Sequence, residues 1–258
     1  MPSPDFTVCV LLYGDHADLA RRCLDSIVTR LPADQYQLRI GLNEVCPATA
    51  AYVAQLHATA LDTIVYESTT NLHKYPMMQR MIHDPACPLR TPYVMWFDDD
   101  SYLIGQYRNW LDLVRDQMAK VVMIGGKYTM SFAGNQHLWV RDQSWYAGKP
   151  VHPNQKVTFI TGGWWTIRTD VLLEHDWPSP DLDHRGGDVM LGQLCRQQGY
   201  ALGTFREGVA INANQRGEES KAPRRGFNSL PVGFDYDPGV AEAVHEATIP
   251  RHRLELDL

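Results

Sequence analysis

Four groups of residues have types and spacings that could do chemistry. The first is Asp98-Asp99-Asp100, which follows the apolar run Tyr93-Val94-Met95-Trp96-Phe97. Three adjacent carboxylates repel one another, and a strand end tolerates them when a divalent cation neutralises the charge. The D-x-D spacing of Asp98 and Asp100 lets one carboxylate take the metal while the other reaches a ribose. An acidic turn that caps the next helix would use the same residues, and spacing alone does not separate the two. The second group is His184-Arg185-Gly186-Gly187-Asp188, just before the apolar residues Val189, Met190, Leu191 and Leu194. An Asp there can cap a helix, or it can accept a proton from a substrate. The third is Gly162-Gly163-Trp164-Trp165, whose indoles could stack on a sugar ring or a base while Gly163 allows close approach; the tryptophans equally suit a core. The fourth is the polar stretch carrying Arg216, Lys221, Arg224 and Arg225, which could supply paired donors to a diphosphate or simply be a solvated loop.

The elements that must position these groups can be read from periodicity. Phe6 to Tyr13 reads as a buried strand running into Gly14-Asp15. Leu19, Cys23, Leu24, Ile27, Val28 and Leu31 then recur at helical spacing up to Pro32, with Asp15 or Asp18 expected to cap the first turn. A second strand is predicted over 36–45, a helix over 48–60, and strands over 62–67 and 93–97. A further helix presents Tyr107, Trp110, Leu111, Val114 and Met118, and strands follow at 121–124 and 200–205. A helix from about 188 to 198 is expected to close at Gly199 as its C′ residue. Strands alternating with helices predict a Rossmann-like, mostly parallel α/β sheet whose ligands lie beyond the carboxyl ends of the strands. The triple aspartate stands at such an end.

With 258 residues and 44% apolar content, the chain can bury one sizeable core. The expected organisation is a single compound domain over 1–258, with a nucleotide-sugar-binding half at about 1–125, an acceptor-binding half at about 126–235 and a tail at 236–258. A net charge of −6 gives no general attraction to nucleic acid or anionic membrane. Cys9, Cys23, Cys46, Cys87 and Cys195 are odd in number and never spaced C-x-x-C, which argues against a disulfide framework and a zinc ribbon. No apolar run approaches the length of a membrane span, and the first residues lack a basic and apolar leader. These features predict a soluble, cytoplasmic protein.

From about Thr7 to Phe205 the sequence resembles the family 2 glycosyltransferases of the GT-A fold. Leu19-Ala20-Arg21-Arg22-Cys23-Leu24-Asp25-Ser26-Ile27 is similar to the family's L-x-R-x-L-x-S-I helix, and Asp98-Asp99-Asp100 to its metal-binding D-x-D. Phe159 through Asp170 looks like the family's glycine-containing strand with an R-x-D-like end. Gly187-Asp188 through Gly199-Tyr200 is similar to an acidic pair opening a helix that ends in Gly-Tyr. Two positions depart from the pattern. Asn43-Glu44 stands where an aspartate for base and ribose is usual, and Gly187 replaces the Glu of the acidic pair. The Q-x-x-R-W signature of processive synthases is absent.

The resemblance implies an inverting, metal-dependent transferase that moves a sugar from a nucleotide diphosphate-sugar, expected to be UDP-linked, to an acceptor hydroxyl. It implies Tyr13, Asn43, Lys74, Arg80, Asp98, Arg224 and Arg225 as donor contacts, Asp98 and Asp100 as ligands of Mn²⁺ or Mg²⁺, Asp188 as general base, and Gly163, Trp164 and Trp165 on the acceptor side. The acceptor itself stays open between a glycan, a small molecule and a modified nucleobase in DNA. Two rivals differ in kind. A nucleotidyltransferase would place metal-binding aspartates on a related sheet, but Leu12-Tyr13-Gly14-Asp15-His16 lacks the basic, glycine-rich phosphate loop expected there. A non-catalytic carbohydrate-binding protein could keep the fold, but would not need the acidic residues.

Overall fold

In the first strand, β1 (Phe6–Gly14), alternate residues serve two different cores: Val8, Val10 and Leu12 face one, while Cys9 and Leu11 face the other. A strand buried on both faces needs helices on both faces, and the rest of the chain supplies them. The computed structural model describes residues 4–59, 62–105, 109–132, 136–184 and 186–212. Tyr107, Arg185 and everything from 213 onward, including Arg216, Lys221, Arg224 and Arg225 and the proposed tail, lie outside the described residues.

The order continues as α1 (Ala17–Arg30), β2 (Tyr36–Val45), α2 (Pro47–Thr59), β3 (Thr63–Ser68), α3 (Lys74–Ile82), β4 (Tyr93–Asp98) and β5 (Tyr102–Leu103). Then come α4 (Trp110–Met118), β6 (Met123–Ser131), α5 (Gln136–Arg141), β7 (Lys156–Arg168), α6 (Thr169–Glu174), α7 (Gly187–Gln198), β8 (Leu202–Thr204) and β9 (Val209–Ala210). Seven strands form the main sheet in the order β3-β2-β1-β4-β7-β6-β8, and β5 pairs with β9 apart from it. The β3-β2-β1-β4 half is parallel throughout. β7 runs antiparallel to both β4 and β6, so the sheet is mixed in its second half. Antiparallel neighbours need no crossover helix, and the chain passes from β6 to β7 through residues 132–155 instead.

One core takes residues of α1, α2 and α4. The other takes α3, α6 and α7. Some details differ from the sequence reading. The N-cap of α1 is His16, with no side-chain cap bond, in place of Asp15 or Asp18. The α3 helix was not expected, because Pro76 interrupts its pattern; Pro is tolerated in a first turn, whose N–H groups lack partners in any case. β6 extends well beyond 124 to Ser131. The last strand of the main sheet is shorter than 200–205, spanning Leu202–Thr204. As expected, Gly199 ends α7 in a left-handed conformation (φ 75°, ψ 21°) that costs glycine little. Buried Arg39 on β2 donates to the carbonyls of Met81 and Cys87 and so fixes the far end of α3.

Candidate active site

The carboxyl ends of β1, β2 and β4 open onto one edge, where the acidic turn sits. Asp98 is the last residue of β4, and Ser101 closes the turn by donating its N–H to the Asp98 carbonyl at 2.9 Å. The turn is braced from α1. The Ser26 hydroxyl accepts the Leu103 N–H at 3.0 Å, and the Cys23 thiol lies 3.9 Å from the Asp98 carbonyl. Burial pushes the Cys23 thiol up, the carboxylates of Asp99, Asp100 and Asp98 push it further, and Arg22 opposes them. Arg22 also lies over the Tyr102 ring at 4.1 Å.

The Asp98 side chain has two defined partners. Its Oδ2 accepts from the Lys74 ammonium at 2.7 Å, and its Oδ1 from the Trp96 indole N–H at 2.8 Å. Lys74 donates as well to the Gly162 carbonyl at 2.7 Å. It sits at the start of α3, and the chain reaches it through His73 in a left-handed, extended conformation (φ 64°, ψ −177°). Such a backbone is strained for a residue with a side chain and persists when its surroundings dictate it. Those surroundings are Asn71, which accepts the His73 N–H at 2.7 Å, and Asn43, which donates to the His73 carbonyl at 3.3 Å.

Asp188 approaches the same point from α7. It occupies the second position of the helix, after the left-handed Gly186, and its Oδ1 accepts the Val189 N–H at 3.1 Å. A Cβ at Gly162 would lie 2.9 Å from the Lys74 ammonium and 3.8 Å from Asp188 Oδ2, so this glycine lies between the two. Burial pushes the Asp188 carboxyl above its ordinary value, while the Lys74 charge and the N–H groups of Val189, Asp188 itself and Gly162 pull it back. A carboxylate kept partly desolvated beside one cation is suited to taking and releasing a proton.

The other sequence-predicted residues divide. Tyr13, at the end of β1 opposite Asn43, is 40% exposed and offers an aromatic face at this edge. Asn43 is buried instead of open to a ligand: its amide donates to Asn71 and His73, and its Oδ1 accepts the Leu72 N–H at 2.8 Å. It shapes the loop that delivers Lys74. Arg80 is exposed at the last turn of α3 and donates to the Glu67 carbonyl. Trp164 and Trp165 are 0% and 2% exposed, so neither indole presents a face to an acceptor. Their strand is covered on both sides: Trp165 stacks on Trp96 at 5.8 Å, and Trp164 packs against Phe97 and Trp110. Trp139 and Trp145 are likewise core. Gly163 makes room not for a sugar but for Asn212, whose Cγ would be 2.6 Å from a Cβ at this position. Asn212 in turn donates to the Ser101 hydroxyl and to Thr161.

Sequence reasoning missed Tyr75. It is buried, and a Cβ at Gly187 would lie 2.5 Å from its hydroxyl oxygen. Gly187, standing where the resemblance expects Glu, was the available signal.

No protein-family model and no curated protein sequence matches the chain. Solved structures do. A mannosyltransferase, PcManGT from Pyrobaculum calidifontis, in complex with GDP-Man and Mn²⁺, superposes with a TM-score of 0.58 at 18% identity, over 88% of this chain and 59% of that one. TarS of S. aureus, residues 1–349 in complex with UDP, superposes with a TM-score of 0.54 at 13% identity, over 79% of this chain and 58% of that one. The fold is that of the GT-A glycosyltransferases. This chain spans less than three fifths of either GT-A neighbour. Among the described residues, no helix is long and apolar enough to cross a membrane.

Proposed function

We propose that this chain is a glycosyltransferase that moves a sugar, with inversion, from a nucleoside diphosphate-sugar to an acceptor hydroxyl. The observation that carries the reading is the convergence of Asp98, Lys74 and Asp188 around Gly162 beyond the carboxyl end of β4. Ligands of open α/β sheets lie beyond such strand ends, and the neighbours' nucleotide-bound states, GDP-Man in one and UDP in the other, favour the same class of donor.

In this reading Tyr13 stacks on the donor's base, Asp98 faces the ribose, and Lys74 meets the diphosphate, with Arg224 and Arg225 as further cationic contacts. Asn43 acts indirectly, by shaping the 71–73 loop. Asp188 takes the proton. The acceptor oxygen bonds to the anomeric carbon, the bond from that carbon to the diphosphate oxygen breaks, and the hydroxyl proton passes to the Asp188 carboxylate.

A divalent ion fits this site only in part. Asp98 already serves Lys74 and Trp96, and among the described residues no group of three or more His, Cys, Asp and Glu side chains is assembled to hold a metal. Asp100, in the same turn, supplies one carboxylate, and the diphosphate would complete the set. Bound there, the ion would offset charge on the leaving diphosphate.

The test is a thermal-shift screen of UDP and GDP with and without Mn²⁺, followed by hydrolysis of the matching nucleotide-sugars. Stabilisation by a nucleoside diphosphate with slow release of free sugar supports the reading. Stabilisation by nucleoside triphosphates alone would favour a nucleotidyltransferase. Sugar binding without nucleotide binding would favour a non-catalytic protein.

A further inference from the structure

Two consecutive residues of α3 touch the two carboxylate-bearing segments of the site. Lys74 holds Asp98, and Tyr75 holds the start of α7. A Cβ at Gly187 would come within 2.5 Å of both Cε2 and the hydroxyl oxygen of Tyr75, so the ring lies directly against the first residue of the helix. The first N–H groups of a helix have no partner within it, and the N-cap residue Gly186 makes no side-chain bond to α7. The Tyr75 ring and hydroxyl stand against this end of the helix. Tyr75 is anchored on its other sides. Its own N–H donates to the Asp183 carbonyl at 3.0 Å, and its ring meets Trp177 edge-on at 6.4 Å. Burial holds the Tyr75 phenol protonated, and the negative charges of Asp188 and Asp98 act in the same direction.

We infer that Tyr75 is a positioning residue for Asp188: its ring and hydroxyl, packed against Gly187, brace the start of α7 from outside and fix the carboxylate beside Lys74 and Gly162. The pairing explains why position 187 carries no side chain, since the space belongs to Tyr75. A neutral phenol here also adds no charge beside a leaving diphosphate, as a second carboxylate would. This inference rests on the reading of Asp188 as the base.

The experiment compares four full-length proteins: wild type, Tyr75→Phe, Asp188→Asn and the double variant. Release of nucleoside diphosphate from UDP-GlcNAc and from GDP-mannose in Mn²⁺ gives kcat and KM, and hydrogen exchange at the Asp188 amide gives a readout independent of activity. Phe keeps the ring and removes the hydroxyl. Tyr75→Phe should lower kcat on the order of tenfold with KM little changed, and should have almost no further effect once Asp188 is Asn. The Asp188 amide should exchange faster in Tyr75→Phe. Equal loss in both backgrounds, or unchanged exchange at Asp188, would overturn the positioning role while leaving the base intact. Wild-type turnover in Asp188→Asn would instead remove the base reading, and the positioning role with it.

Discussion

The side chain of Lys74 runs from the first residue of α3 to the last residue of β4, where its ammonium stands 2.7 Å from Asp98 Oδ2 and 2.7 Å from the Gly162 carbonyl. It joins three elements that are far apart in sequence, and its charge draws the Asp188 carboxyl down. The acidic turn, the strand carrying Gly162 and the carboxylate of Asp188 are thereby related to one cation.

Replacing that cation should show in two ways. Lys74→Met leaves the Asp98 carboxylate, 21% exposed, without its charge partner, and should destabilise the protein by about 1–3 kcal/mol. Nucleoside diphosphate affinity should fall in the same variant, because an ammonium facing the phosphates is lost. Thermal melts and calorimetry with UDP and GDP check both. Unchanged nucleotide affinity in a destabilised Lys74→Met would make Lys74 a purely structural link.

The pH dependence follows from Asp188. A base works deprotonated, and burial favours its protonated form, so activity should rise with pH along a limb set above the ordinary carboxyl value of about 3.9. Lys74 pulls that value down, so Lys74→Met should move the limb to higher pH. Stability has the opposite sign. The contribution of this raised carboxyl is full below the unfolded value and fades as pH rises through the folded one. A pH–rate profile of wild type and Lys74→Met decides it: limbs that coincide would mean that Asp188 is not the titrating group.

Much of the architecture was legible because periodicity reports burial. The apolar run from Phe6 to Tyr13, the apolar strand before Asp98 and the glycine closing α7 all correspond to physical requirements local to those segments. The site was legible only where a residue's role is local. Asp188 was visible as an acid opening a helix, but the aromatic groups around it were not assignable. Trp164 and Trp165 sit on a strand covered by helices on both faces, and such a strand reads as a continuous apolar run whether or not one side is open to ligand. Asn43 looked like a ligand contact because its position in β2 is right, yet its amide is spent on a loop that no local pattern reveals. Tyr75 and Gly187 form a complementary pair only after α3 and α7 have packed.

The burial of Trp164 makes a prediction opposite to a binding role. Trp164→Ala should cost about 3–5 kcal/mol of stability through the cavity left between Phe97, Trp110 and Phe205. Any protein that still folds should show little selective loss of acceptor affinity. Denaturant melts beside substrate titrations separate the two, and intact stability with weakened acceptor binding would return the indole to the site.

The proposed metal dependence is tested at Asp100. Free carboxylates repel a diphosphate, and a cation between them reverses the sign. Nucleoside diphosphate binding should therefore weaken in EDTA and in Asp100→Ala, and Asp100→Ala should bind equally with or without Mn²⁺. Calorimetry that finds undiminished binding in EDTA would assign the phosphates to Lys74 and the other cationic side chains alone.

Asp188→Asn separates helix capping from proton transfer. Asp188 lies one residue inside α7, accepts the Val189 N–H at 3.1 Å, and faces Lys74 across Gly162. The Asn carbonyl oxygen can accept that same N–H, and Asn is nearly as favourable as Asp at helix starts. Removing a charge that burial disfavours also costs the fold little. Folding and nucleotide affinity should therefore stay close to wild type. Asn cannot take the acceptor's proton, and general-base catalysis is typically worth about 10² to 10⁴ in rate. The variant should lose transfer by at least about a hundredfold, in kcat and kcat/KM alike, because the missing interaction belongs to the transition state. Its pH–rate profile should also lose the limb assigned to Asp188. Turnover within a few-fold of wild type would move the role to another carboxylate. Asp183 is the next to test, because it pairs with His73 at 3.8 Å on the approach to the same helix.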